Sequence, residues 1–137
     1  SLSFEEQTII QAAERYVQQE LANEASGHDW WHIYRVTQLA KTIAEKEQAN
    51  LFLCILTALL HDIGDEKFNE SEEAGLLKVQ QWLEANNVST EQTNHILSII
   101  ANMSFKGGNT GKTDPGCGST RCHRRNWNCT GDGLFGK

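Results

Sequence analysis

Residues 51–64 read LFLCILTALLHDIG, and this stretch decides the architecture. From Leu51 to Leu60 it carries no charge and only one hydroxyl, on Thr57. A helix apolar on nearly every side has no face to offer water, so it must sit at the centre of a fold. Asn50 stands where a side-chain oxygen can cap its first turn. The run then ends abruptly in His61-Asp62. Ionisable groups at the end of a buried helix are costly unless something pairs them.

The neighbouring segments supply helices to surround that rod. Ser3 with Glu6 fits a capping box, and Ile9, Ile10, Ala13, Tyr16, Val17 and Leu21 then recur at helical spacing. Gly27 breaks the pattern. Asp29 can cap a second helix that turns Trp30, Ile33, Val36, Leu39, Ala40 and Ile43 inward. A fourth helix is predicted from about Glu72 to Ala85, with Leu76, Leu77, Val79 and Leu83 facing the core. Ser89 with Gln92 makes another capping box and opens a fifth, with Ile96, Ile99 and Ile100. No segment alternates as a strand and no repeat is visible. The expected fold class is all-α.

Composition sharpens this and exposes a seam. The chain has 137 residues and a formal charge of -6, which argues against nucleic acid as the main partner. No apolar run approaches a membrane span, and no signal-peptide pattern appears, so a cytoplasmic protein is expected. Four cysteines in that setting suggest free thiols or metal before disulfides. Up to Phe105 there are 16 acidic and 6 basic residues with three Gly. From Lys106 onward there are 6 basic and 2 acidic residues, the only Pro and eight Gly. Residues 1–112 therefore read as a helical body and 113–137 as a segment of different grammar.

Adjacent helical residues point about 100° apart, so His61 and Asp62 can share one ion only near a helix end facing a cleft. An imidazole and a carboxylate suit a divalent ion such as Mn, Fe or Mg. On those two residues alone, a C-terminal His favoured by the helix dipole, beside a solvated Asp62, is an equal alternative. A second source of imidazole lies in SGHDWWHIYRV, residues 26–36. His28 and His32 stand four apart at a helix start, and Arg35 lies one turn beyond His32. The plain alternative is that His28 caps and His32 packs under Trp30 or Trp31.

Together, residues 27–36 (GHDWWHIYRV), 61–68 (HDIGDEKF) and 100–108 (IANMSFKGG) resemble the HD-domain metal-dependent phosphohydrolase superfamily. The likeness is to its small bacterial branch and covers roughly residues 5–112. It implies a compact HD-domain helical bundle whose divalent metal is held by His32, His61, Asp62 and a later Asp. Some members of the branch are nucleoside triphosphate pyrophosphohydrolases, so the resemblance implies a nucleotide or related phosphate ester as substrate. Asp65 and Glu66 resemble in position an acidic pair that assists the attacking water, which gives them a catalytic general-base role. Arg35, Lys67 and Lys106 are candidate phosphate contacts, since a transferring phosphoryl group needs cationic stabilisation. His28 is a candidate outer metal-site or substrate residue, and His95 reads as structural. No nucleic-acid or membrane partner is expected, and a homodimer is left open.

The family's last ligand is an Asp in a segment like D-A-D-R-L-D-A-I-G, expected soon after the S-F-K-G-G loop. This chain has GCGSTRCHRRNWNCTG there, residues 116–131. Cys117, Cys122, His123 and Cys129 match no common zinc spacing. GNTGKT at 108–113 is not a phosphate-binding loop, because the required first Gly falls on Lys106. Back-translation one base out of phase explains more. Codons allowed for these residues then spell D-A-D-R-L-D-A-I-G-A-I-G-I-A-R. Some steps leave little choice: Trp127-Asn128 must give Gly, and His123-Arg124 must give Ile or Thr. The tail is thus expected to be frameshifted from near 112–114, leaving a C-terminally incomplete bundle with an impaired site. The competing class is a non-enzymatic helical module binding zinc or nucleic acid through the Cys- and Arg-rich tail.

Overall fold

The computed structural model describes residues 1–22 and 29–113, with the side chains of the last helix described as far as Met103. Five helices follow in order: α1 Phe4–Leu21, α2 Trp30–Glu47, α3 Leu51–Leu60, α4 Glu72–Ala85 and α5 Thr90–Thr113. A 3-10 turn, Glu66–Phe68, lies between α3 and α4. Among the described residues there is no strand.

The caps form as their residue types dictate. Ser3 Oγ accepts the Glu6 amide while the Glu6 carboxylate accepts the Ser3 amide, a closed capping box. Asp29 Oδ1 accepts the His32 amide, and Asn50 Oδ1 accepts the Leu53 amide. Helix α2 ends at Gln48 with φ 56°, a left-handed cap that turns the chain within two residues to Asn50.

Helix α3 is the central rod. Every residue from Phe52 to Leu60 is buried, and Leu56, Leu59 and Leu60 are 0% exposed. Helices α1, α2 and α5 pack against it, and α4 closes over α5 and the 3-10 turn. One core joins α1, α3, α4 and α5 with Ile33 of α2. A second pairs Val36, Ala40, Ile43 and Ala44 of α2 with Cys54 and Ala58 of α3, small residues that let the two helices approach closely.

Two expectations are corrected. Leu77 is 52% exposed, because the buried row of α4 runs Gly75, Val79, Leu83, and Leu77 points about 200° away from Gly75. Residues 104–108 are backbone-helical within α5 rather than a loop. Helix continuation through Gly107 and Gly108 costs about 1 kcal/mol for each, and no described contact explains it. The Cys- and Arg-rich tail lies outside the described residues.

Candidate metal centre

Helix α3 delivers His61 as its C-terminal cap residue, and Asp62 follows in the turn. Both are buried, His61 at 9% and Asp62 at 4% exposure. Helix α2 lays His32 alongside. The Asp62 carboxylate reaches both imidazoles: Oδ1 stands 3.0 Å from His61 Nε2 and Oδ2 stands 3.8 Å from His32 Nε2. The two rings lie 6.4 Å apart, centroid to centroid. One ligand atom from each of the three residues falls within 4.8 Å of the others. His32 is only partly buried, so the cluster has one open side, towards solvent.

The protonation of His61 follows from its partners. Its Nδ1 lies 2.6 Å from the Ala58 carbonyl oxygen. A carbonyl only accepts, so Nδ1 carries the hydrogen and Nε2 is turned towards Asp62. That is how a histidine is prepared to bind metal: the backbone fixes the tautomer and the other nitrogen faces the ion. Burial by itself lowers the His61 pKa. The Asp62 charge and hydrogen bond, the Ala58 carbonyl and the Asp65 charge outweigh it and hold the pKa above the usual histidine value. The buried carboxylate thus draws a cation to this spot, either a proton on Nε2 or a metal in its place. Two imidazole nitrogens and a carboxylate oxygen form a donor set that suits a borderline divalent ion, so the residues fit the metal.

The turn after His61 and Asp62 is tightly tied. The Gly64 amide donates to Leu60 O at 3.2 Å and the Asp65 amide to Asp62 O at 3.1 Å. Asp65 is half-buried and caps the 3-10 turn, its Oδ1 accepting the Lys67 amide at 2.9 Å. Gly64 is wedged beneath α4 and α5; a Cβ there would stand 3.2 Å from methyl groups of both Val79 and Ile100. Gly75 is tighter still, since a Cβ would collide with the Gly64 carbonyl.

The candidates named from the sequence fall in different places. His32, His61 and Asp62 come together. Asp65 adjoins them, and its charge acts on His61. Glu66 is exposed at the start of the 3-10 turn; Arg35 is exposed one helical turn along α2. Lys67 is exposed and lines a shallow, open depression with Phe68, Asn69, Glu70 and Ala74. His95 is half-buried on α5, outside the metal cluster. His28 and the side chain of Lys106 lie outside the described residues. Gly75 and Asn69 escaped the sequence reading; a glycine inside an amphipathic helix was the one available signal.

An all-helical bundle that presents a His and a His-Asp pair at the end of its central helix defines a recognisable class. The family model for the HD domain matches residues 30–128, and the chain belongs to that family. Bacillus subtilis YpgQ, an uncharacterised protein, is 40% identical over 91 residues, which are 66% of this chain and 44% of YpgQ. The crystal structure of YpgQ in complex with ADP superposes with TM-score 0.64 at 34% identity, covering 74% of this chain and 52% of the other. An HD-superfamily hydrolase from Bacillus thuringiensis gives TM-score 0.65 at 46% identity over 74% and 53% of the two chains. The chain thus spans about half the length of these relatives. Among the described residues no helix is long and apolar enough to cross a membrane.

Proposed function

We propose that this domain is a metal-dependent phosphohydrolase acting on a nucleotide or a related phosphate ester, with nucleoside triphosphate pyrophosphohydrolysis as the form to test first. The observation that carries the reading is the convergence of His32, His61 and Asp62, two of them buried, on one point. The relative crystallised with ADP supports a nucleotide as ligand. When bound, a divalent ion, Mn, Mg or Fe, would supply Lewis-acid chemistry toward a phosphoryl oxygen and an attacking water. His32, His61 and Asp62 would hold it. Asp65, beside the ligands, and Glu66 are the candidates to take the proton from the attacking water. Arg35, Lys67 and Lys106 are placed in sequence to meet phosphate charge, and His28 to support the metal or the substrate.

The segment 113–137 is assigned to a shifted reading frame, so the family's last ligand Asp, whose codon would span Gly118 and Ser119, is missing. The site is accordingly impaired, and the domain's activity belongs to the chain with the frame restored. The location that goes with a nucleotide hydrolase of this kind is cytoplasmic.

The experiment compares the present chain with a frame-restored one on a panel of nucleoside triphosphates and monophosphates with Mn2+ or Mg2+. Release of pyrophosphate separates triphosphate pyrophosphohydrolysis from phosphate release by monoester cleavage. Hydrolysis should appear with the restored chain, vanish with chelator, and be lost in His61→Ala and Asp62→Ala. A restored chain that hydrolyses nothing, or keeps its rate after His61→Ala, would sink the reading. Sequencing the gene tests the frame directly: an uninterrupted frame with no D-A-D segment beside it removes that part.

A further inference from the structure

The turn that carries the ligands is fastened by a side chain outside all the motifs above. Asn69 follows the 3-10 turn and is half-buried. Its Nδ2 donates to the Ile63 carbonyl at 2.8 Å and to the Asp65 carbonyl at 2.7 Å. Both amide hydrogens are therefore spent on two carbonyls of the segment that leaves Asp62. A short, uncharged side chain with two N–H donors is an asparagine; a carboxylate would set oxygen against oxygen, and a hydroxyl offers one hydrogen.

The surroundings are shaped for this group. A Cβ on Gly75 would come within 2.8 Å of Asn69 Nδ2, so the helix behind is cut back to glycine where the amide sits. The Asn69 amide N–H also donates to Glu66 O at 3.2 Å, which anchors the residue itself. The Asp65 amide returns to the Asp62 carbonyl, so both ends of the tie bear on the ligand.

We propose that Asn69 is a positioning residue for the metal centre: it holds residues 62–65 so that the Asp62 carboxylate keeps facing His32 and His61. The proposal rests on the metal reading above. Residues that orient metal ligands from behind typically change affinity by about 10–100-fold when lost, and Asn69 acts in that way on Asp62 through the backbone.

The test is an Mn2+ titration of the full chain, read by NMR as paramagnetic broadening of the His32 and His61 ring signals, which registers weak binding. Asn69→Asp and Asn69→Ala should weaken Mn2+ binding at least about tenfold. Val17→Ala, which thins the core on α1, should lower Tm while leaving Mn2+ affinity within about twofold of the parent. Asn69→Ser, with one donor left, should fall between parent and Asn69→Ala, and it serves if Asn69→Asp does not fold. Asn69 variants that bind Mn2+ within twofold of the parent, or that lose no more affinity than Val17→Ala, overturn the proposal. If the parent's rings are not broadened, or the His32 ring is broadened equally in His61→Ala, the metal reading itself has failed. Asn69 is then judged on the metal-free spectra: His32 and His61 ring shifts that move in Asn69→Ala support positioning, and unmoved shifts overturn it.

Discussion

His61 stands between two opposed pressures, burial that resists charge and a buried carboxylate that demands it. The carboxylate wins, and the pKa is raised. The sign of the pH dependence follows. A group whose folded pKa exceeds its unfolded value, here from 6.5, stabilises the fold fully below that unfolded value. This stabilisation is lost as pH rises through the higher folded pKa. The metal-free chain should therefore lose Tm as pH rises above about 6.5 and through the raised folded pKa, and His61→Asn should flatten that decline. A metal replaces the proton, so Mn2+ affinity should move the other way and increase with pH. Melting curves with chelator and with Mn2+ across that range check both arms; parallel slopes would show that His61 is not where proton and metal compete. Thr37 poses a simpler case. Its Oγ1 is the buried side-chain polar atom without a hydrogen-bond partner among the described residues. Leaving such a group unsatisfied costs about 1–3 kcal/mol, whereas an apolar isostere carries no such penalty. Thr37→Val should thus hold or raise stability, by up to about 1 kcal/mol in denaturant melts. At this scale the sequence was legible where chemistry and position conflicted, as with His61 and Asp62 ending an apolar helix. It was silent on Asn69, whose role depends on two carbonyls that only the folded turn brings within reach.

Helix α4 shows where periodicity stops being informative. Its bounds agree with the expected segment from Glu72 to Ala85 because Ser71 caps one end and Asn86 and Asn87 turn the other. Its inward face does not agree throughout. Leu77 looks apolar enough for the core, yet the packed row is led by Gly75, which a hydrophobicity pattern discounts. The reason is spatial: the turn holding Gly64 presses so closely on α4 that a methyl group has no room. Helix propensity and packing therefore give opposite signs for one substitution. Ala is favoured over Gly in a helix by about 1 kcal/mol. The displaced atoms at Gly75 include the backbone of Gly64, which cannot swing aside, and overpacking of this kind costs about 1–3 kcal/mol or more. Gly75→Ala should consequently lower stability by at least about 1–2 kcal/mol and weaken metal binding with it. A Gly75→Ala chain that melts higher than the parent would mean that α4 does not press on the metal turn.

At the scale of the whole molecule, the bundle and three candidate ligands are in place, while the relatives extend to about twice the matched length. The body's fold was readable because one all-apolar helix forces the others around it. The completeness of the site was not readable from the body; under the proposed frameshift it turns on the tail, which lies outside the described residues. Linkage turns that into a measurement. Metal that binds only the folded state stabilises it by about 2.7 kcal/mol at a hundred times Kd, which moves Tm by roughly 10 °C for a chain of this size. Loss of a direct ligand should weaken affinity no less than loss of an orienting partner, so by at least about tenfold. At the same Mn2+ concentration the present chain should then gain only about 1.4 kcal/mol, roughly half the shift. Each chain is measured against its own chelated melt, so differences in resting stability cancel. The larger shift should appear only with the D-A-D segment restored, and replacing its second Asp by Asn should return the shift to that of the present chain. Equal shifts in all three would mean that His32, His61 and Asp62 bind the ion without help from the tail, and the assignment of a displaced ligand would fall.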